Sequence, residues 1–195
     1  MRVLCTICGR GGSIGIKNKV LQKINDKPLI AYTIRQAIKS KIFSQIVVST
    51  DSKQIQKISR KFGASCWFLR PKKLSNSSSP KLHAIKHALL ESEKFFKQKF
   101  DFCVDLDVTS PMRNISDIKK AFKKFLVSNS LNLFSVTDSK KNPYFNMVEK
   151  KNNKLKIVKA FNKKIFTSRQ SSPKVYELNA SIYIFKRKFL LKNYK

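Results

Sequence analysis

Cys8–Lys19, CGRGGSIGIKNK, directly follows Val3–Ile7, a short apolar stretch typical of a buried strand. It holds four of the five glycines in the chain and the basic residues Arg10, Lys17 and Lys19. Glycine permits a positive φ and a close approach of the backbone to a ligand, and successive backbone N–H groups form a concavity that suits anions. The stretch therefore predicts a cradle for a polyphosphate or a nucleotide, although a surface turn has the same composition. It matches neither the P-loop nor the dinucleotide-binding pattern.

The rest of the chain alternates between helix-like and strand-like segments. Helices are predicted at Leu29–Lys39 with Pro28 at the first position, after Asp51-Ser52 as a cap, at Pro80–Phe96, and at Ile118–Val127 after Asn114–Asp117. Strands are predicted at Gln45–Thr50, Ser65–Leu69, Phe100–Asp107, Leu131–Thr137 and Leu178–Phe185. This order predicts an α/β fold with a doubly wound, mostly parallel sheet and helices on both faces, in one domain over residues 1–195.

One segment, residues 138–177, interrupts the alternation. It is rich in lysine and predicts a hairpin of Asn146–Val148 and Leu155–Ala160, with the turn at Asn152-Asn153. We interpret it as a flap or a subunit contact within the domain.

Several polar residues follow predicted strands. In a doubly wound sheet, ligands bind at the carboxyl ends of the strands, and the glycine-rich stretch, Asp51, Arg70 and Asp107 all lie at such ends. Asp105 and Asp107 point to the same side of their strand and form a plausible Mg²⁺ site; a structural role is favoured more for Asp105 than for Asp107. His83 and His87, four residues apart on a predicted helix, are interpreted as an ordinary helix face, because no third metal ligand accompanies them.

The net charge of +31 permits binding to nucleic acid or to an anionic membrane surface. However, lysine dominates over arginine, and no basic module with interleaved aromatic residues is present, so we predict no specific nucleic-acid partner. No stretch is long enough for a membrane span or a signal peptide, which predicts a cytoplasmic protein without a membrane partner. The cysteines, including the pair Cys5 and Cys8, are interpreted as buried reduced thiols.

Five motifs in order resemble the CMP-sialic acid synthetases, the acylneuraminate cytidylyltransferases. They are GRGGSIGIKNK followed by NDKPLIAYTI, then IVVSTD, FLRPKKLSNSSS, LDVTSPMRN, and SRQSSPKVYELNASIYIF. The resemblance covers almost the whole chain. It implies a nucleotide-diphospho-sugar transferase-like fold and a Mg²⁺-dependent transferase that joins CTP to a sialic- or legionaminic-type nine-carbon acid. The products would be pyrophosphate and a CMP-sugar for surface glycans or lipopolysaccharide.

The resemblance also implies roles for individual residues. Arg10 and Lys19 would contact the triphosphate as catalytic cations, and Gly12 and Ser13 would belong to the same cradle. Arg70 and Ser79 would line the cytidine nucleotide, while Asp107 would lie between nucleotide and sugar and is the candidate metal ligand. Arg169, also assigned as catalytic, and Gln170 would bind the acidic sugar from a flap that crosses a homodimer interface.

Three departures from the family pattern are visible. Ile14 replaces a loop cation, and Val20 replaces an asparagine. The family also continues to a further strand whose aspartate pair holds Mg²⁺, whereas this sequence ends at Lys195. We therefore expect a shortened chain, and the alternative function is an inactive, nucleotide-binding remnant of the family.

Overall fold

The fold is given by a computed structural model that describes residues 1–12, 15–160 and 166–193. The strands are β1 (Val3–Cys8), β2 (Lys23–Ile24), β3 (Lys27–Pro28), β4 (Gln45–Ser49), β5 (Phe102–Leu106), β6 (Asn132–Asp138), β7 (Val148–Lys151), β8 (Lys154–Ile157) and β9 (Tyr176–Lys186). The helices are α1 (Leu29–Ser40), α2 (Lys53–Lys61), α3 (Lys81–Phe95), α4 (Ile115–Ser128) and α5 (Arg187–Asn193). None of the described helices is both long and apolar enough to cross a membrane.

The central sheet has the strand order β4-β1-β5-β9-β6. Strand β1 pairs in parallel with both β4 and β5, whereas β9 pairs antiparallel with β5. The parallel strands are apolar almost throughout because helices cover both of their faces. The carboxyl ends of β1, β4 and β5 consequently meet at one edge, where Arg10 and Asp107 lie.

Successive residues of β1 point to opposite faces of the sheet and enter different clusters. Cys5 packs with side chains of α1, α2 and α4, whereas Leu4 packs with side chains of α3 and α5. This arrangement confirms the predicted mostly parallel sheet with helices on both faces. Cys8 lies on the side opposite to Cys5, and all four cysteines are free. Cys5, Cys66 and Cys103 are buried as interpreted, whereas Cys8 is half-buried. Burial raises the pKa of the Cys66 thiol to about 11.

Some local predictions differ from the structure. The predicted strand Ser65–Leu69 is reduced to a single bridge between Val47 and Ser65. Pro28 is the residue before α1, with an extended ψ of 144°, rather than its first helical residue. Helix α4 begins at Ile115 instead of Ile118, because Asn114 and Asp117 form a capping box that starts the helix earlier.

Residues Val136–Asn179 form a compact unit of their own, and Met1–Ser135 with Ala180–Lys195 form the other. The smaller unit covers the interruption predicted from the sequence. Its hairpin pairs Val148 with Ile157, and Asn152 and Asn153 both have positive φ, which confirms the predicted turn. The side chain of buried Asn142 donates to the carbonyl of Pro173 at 2.9 Å and so holds two segments of the unit together.

The cap of α2 provides a stability test. Ser52 precedes the helix, and its hydroxyl accepts a hydrogen bond from the backbone N–H of Ile55. Ser52→Ala should lower the free energy of unfolding by about 1 kcal/mol, since the first turn loses its acceptor. Chemical denaturation measures this loss, and Ser130→Ala, outside any helix, serves as the control. An equal effect of both variants would contradict the capping role.

Candidate functional site

The glycine-rich stretch is anchored to the end of the neighbouring strand. The backbone N–H of Gly9 donates to the carbonyl of Ser49 at 3.0 Å, and that of Gly11 donates to the carboxylate of Asp51 at 2.8 Å. A side chain at Gly9 would meet Val20 at 3.1 Å. Close approach is therefore what requires glycine at position 9.

The described glycines of this stretch do not use the positive φ that glycine permits, since Gly63 is the one described glycine with that geometry; Asn18 is the residue of the stretch with a positive φ, of 52°. Val20 is buried under Gly9 and belongs to the core. Its apolar side chain, a departure from the family pattern, is thus explained by packing. Gly12 is exposed, with nothing within 4 Å of the position of a Cβ atom. Ser13 and Ile14 lie outside the described residues.

A cavity of about 250 Å³ opens at the carboxyl ends of the parallel strands. Among the predicted site residues, it brings together Arg10, Arg70, Ser79 and Asp107. The cavity also borders Lys81, which the sequence analysis did not single out. Lys19 does not border it: this residue begins the 3₁₀ turn Lys19–Leu21 and is partly exposed. The arrangement gives a polyanion two guanidinium groups at the edge where a nucleotide would bind.

Arg70 is the more rigidly held of the two guanidinium groups. It is buried, and its Nε donates to the hydroxyl of Ser75 at 3.0 Å. Its backbone N–H donates to the carbonyl of Thr50 at 2.7 Å, directly after β4. These contacts fix the orientation of the side chain before any ligand binds, which reduces the entropy cost of binding.

The serine-rich loop forms the rim of the same cavity. Asn76 Oδ1 accepts hydrogen bonds from the backbone N–H of Ser79 at 2.7 Å and from the hydroxyl of Ser78 at 3.1 Å. Such side-chain acceptors stabilise tight turns. The loop is thus a formed turn that presents Ser79 to the cavity, rather than a plain linker.

Asp107 follows β5 and is held on both carboxylate oxygens. Its Oδ2 lies 2.6 Å from Lys81 Nζ, and its Oδ1 accepts from the backbone N–H and the hydroxyl of Thr109, at 2.7 and 2.5 Å. Burial by itself raises the pKa of Asp107, but Lys81 and the Thr109 donors outweigh it and lower the pKa below its ordinary value. Asp107 is therefore an ionised acceptor in the cavity wall.

Asp105 points to the same side but is fully buried. Its Oδ1 accepts from the hydroxyl of Thr6 at 2.9 Å, and its Oδ2 lies 2.7 Å from Lys81 Nζ. The structure therefore supports the structural role favoured for Asp105. Burial by itself lowers the pKa of Lys81, but Asp105 and Asp107 outweigh it and raise the pKa well above its ordinary value.

A family model described as Cytidylyltransferase matches residues 4–194, nearly the whole chain. The chain belongs to the cytidylyltransferase family.

Two similar proteins from Campylobacter have curated names. This cytidylyltransferase is 49% identical to "Post-translational flagellin modification protein B" of Campylobacter coli and 49% identical to "CMP-N,N'-diacetyllegionaminic acid synthase" of Campylobacter jejuni. Each match covers 98% of this chain and 80% of the relative. The fold is similar to that of CMP:2-keto-3-deoxy-manno-octonic acid synthetase solved with CTP, with a TM-score of 0.69 at 16% identity, covering 98% of this chain and 76% of that one. The last comparison supports the fold alone.

A partly buried network of the cytidylyltransferase lies behind Asp107, and no sequence pattern indicated it. Arg113 donates to the carbonyl of Ser181 at 2.7 Å and to the side chain of Gln36 at 2.9 Å. Gln36 in turn donates to the carbonyls of Pro111 and Arg113, both at 2.7 Å. The network ties the turn after β5 to α1 and β9, which holds the backbone at Asp107 in place.

Arg169 and Gln170 lie in the smaller unit. They line a second cavity of about 390 Å³ with Asp138, Asn142 and Lys174 among its other residues. Arg169 donates to the carbonyl of Lys140. The two predicted sugar-binding residues are therefore adjacent in this unit, and their roles stay predictions.

The surroundings of Asp107 bear on its predicted role as a Mg²⁺ ligand. Asp107 has no free carboxylate oxygen, since Lys81 and Thr109 engage both. The described residues also contain no cluster of three or more metal-ligating side chains. This arrangement does not fit a Mg²⁺ ion held by Asp107. Among the described residues, no third metal-ligating side chain forms a cluster with His83 and His87.

The sequence signal for Lys81 is weak. Lys81 is the first residue of α3, where the positive end of the helix dipole disfavours a cation. Lys53 begins α2 in the same way but is exposed, so the position by itself does not predict acidic partners. The sequence alone does not say which carboxylates Lys81 contacts.

Proposed function

We propose that this cytidylyltransferase transfers CMP from CTP to a nine-carbon acidic sugar of the legionaminic class and releases pyrophosphate. The observation that supports it best is the cavity at the ends of β1, β4 and β5, which combines Arg10 and Arg70 with the acceptor Asp107. The choice of sugar is supported by the curated relative from Campylobacter jejuni.

In the proposed reaction, the anomeric hydroxyl of the sugar attacks the α-phosphate of CTP, and its proton passes to solvent water. The bond from the α-phosphate to the bridging oxygen breaks, and pyrophosphate leaves with the electron pair. Such transfers depend mainly on positioning and on cations that offset the developing charge. Arg10 and Arg70 would supply these cations in the cavity, and Lys19 remains a proposed further contact to the triphosphate. Arg169 and Gln170 are proposed to bind the sugar acid.

Pyrophosphate release tests the proposal. The chain would be incubated with CTP, Mg²⁺ and, in turn, N,N'-diacetyllegionaminic, pseudaminic, N-acetylneuraminic and 2-keto-3-deoxy-manno-octonic acids. We expect release with CTP but not with ATP, and the highest kcat/KM with the legionaminic acid. Arg10→Ala should lower kcat/KM about a hundredfold, since a cation at the departing charge is lost. The exposed Arg35, outside the cavity, provides the control variant Arg35→Ala.

Tight CTP binding without pyrophosphate release from any of these sugars would contradict the proposal. That outcome would favour the alternative, a nucleotide-binding remnant without catalysis.

Two further proposals accompany the function. CTP is a cytoplasmic metabolite, which supports a cytoplasmic location. A homodimer that uses residues 138–177 is proposed from the family resemblance. Analytical ultracentrifugation of the chain with and without the hairpin of β7 and β8 tests it by measuring the molecular mass in solution.

A further inference from the structure

One ammonium group connects the two carboxylates at the end of β5. Lys81 Nζ lies 2.7 Å from Asp105 Oδ2 and 2.6 Å from Asp107 Oδ2. Asp105 lies on β5 and Asp107 follows the strand two residues later, and both side chains reach Lys81 on the same face. The same face carries α3, whose first residue is Lys81.

The remaining carboxylate oxygens also have donors within the chain. Thr6 occupies Oδ1 of Asp105, and Thr109 occupies Oδ1 of Asp107 through both its backbone N–H and its hydroxyl. Three of the four oxygens therefore accept a hydrogen bond from the protein, and the fourth, Asp105 Oδ2, is buried without one and has Lys81 Nζ as its ion-pair partner at 2.7 Å. A divalent ion needs such oxygens as direct ligands, so it would have to displace Lys81 to bind here.

The position of Lys81 is well determined by its own surroundings. Its helix packs through Ile85 and Leu89 against β1 and β4. Its ammonium lies 5.5 Å from the centre of the Tyr183 ring, a cation–π distance. The side chain is only 32% exposed. An ammonium held by two carboxylates and an aromatic ring is a fixed part of the cavity wall rather than a mobile surface lysine.

We propose that Lys81 is the resident cation of the Asp105–Asp107 pair: it orients Asp107 toward the cavity and excludes a divalent metal ion from the two carboxylates. Lys81 is a positioning residue in this role, because it acts through Asp107. The exclusion of metal follows from the geometry alone, and the link to catalysis rests on the proposed function.

Binding of Mn²⁺ in the absence of nucleotide tests the inference. The electron paramagnetic resonance signal of free Mn²⁺ would be titrated with the wild-type chain, with Lys81→Ala and with the double variant Lys81→Ala and Asp107→Asn. We expect no saturable site in the wild type, one site per chain in Lys81→Ala, and loss of that site in the double variant. Lys86→Ala is the matched control, since Lys86 lies on the same helix but donates to the carbonyl of Leu191.

A wild-type site for Mn²⁺ that disappears in Asp107→Asn would overturn the inference. So would a folded Lys81→Ala variant that gains no site. Lys81→Gln, which keeps much of the stem, replaces Lys81→Ala if circular dichroism shows that the alanine variant is unfolded. None of these readouts requires turnover of CTP. A failure to release pyrophosphate would therefore count against the proposed function and leave the result for Lys81 intact.

Discussion

Arg70→Ala should reduce kcat/KM for CTP about a hundredfold or more, the largest loss of activity expected from any single change in the cavity. Arg70 is buried, lines the cavity, and is oriented by Ser75 and Ser49 before ligand binds. Its removal takes away a pre-oriented charge and its hydrogen bonds to Ser75 and Ser49, while the carbonyl of Ser49 keeps the backbone N–H of Gly9 as a donor. Stability should therefore fall by only about 1 kcal/mol. Steady-state kinetics and thermal melting measure the two effects separately.

Two variants separate charge from geometry at this position. Arg70→Lys keeps the charge but cannot reproduce the planar fork, so most of the loss in kcat/KM should remain. Arg60→Ala is the control, because Arg60 also donates to a backbone carbonyl, that of Cys66 at 2.7 Å, but lies outside the cavity. If Arg70→Ala kept wild-type kinetics while melting normally, the nucleotide-binding role of Arg70 would be wrong.

Asp105→Ala should produce the largest loss of stability, about 3 kcal/mol in the free energy of unfolding. The carboxylate is completely buried between the hydroxyl of Thr6 and the ammonium of Lys81. Removing one partner of a buried ion pair leaves the other charge without compensation, at a cost of about 3–5 kcal/mol. We expect a cost at the lower end of this range, because Lys81 keeps its ion pair with Asp107 in the variant.

Urea denaturation of a double-mutant cycle checks this energy. Asp105→Asn and Lys81→Met would be measured singly and together, and the double variant should be less destabilised than the sum of the single variants. Asp101→Ala is the control, because Asp101 is exposed and accepts from the backbone N–H of Arg2. Strict additivity would show that Asp105 and Lys81 do not act as a pair.

The order of helices and strands was readable from the sequence because each element carries its own pattern. The strand at β4 and the helix at α1 were predicted to within two residues, since apolar periodicity and caps are local signals. The strand predicted at Ser65–Leu69 was wrong, because its residues make only one bridge to β4. A short apolar run does not reveal whether a neighbouring strand will form hydrogen bonds along its whole length.

The candidate cavity was partly predictable for a topological reason. Parallel strands bring their carboxyl ends to one edge, so Arg10 and Asp107 could be expected to converge before any coordinates were known. Arg70 also lines the cavity, although the strand predicted before it is reduced to one bridge. The family resemblance added Ser79 to this group. Lys19 was expected there as well, but it does not border the cavity.

The sequence by itself determined the alternating α/β order, the turn at Asn152-Asn153 and the edge of the sheet where a nucleotide would bind. Only the tertiary structure decided that Lys81 joins Asp105 to Asp107, that Arg113 joins Gln36 to Ser181, and that Val20 packs under Gly9. The physical reason is separation along the chain. Caps and periodic patterns are interactions between near neighbours, whereas these contacts join residues from different elements, and their partners are set by how the helices pack on the sheet.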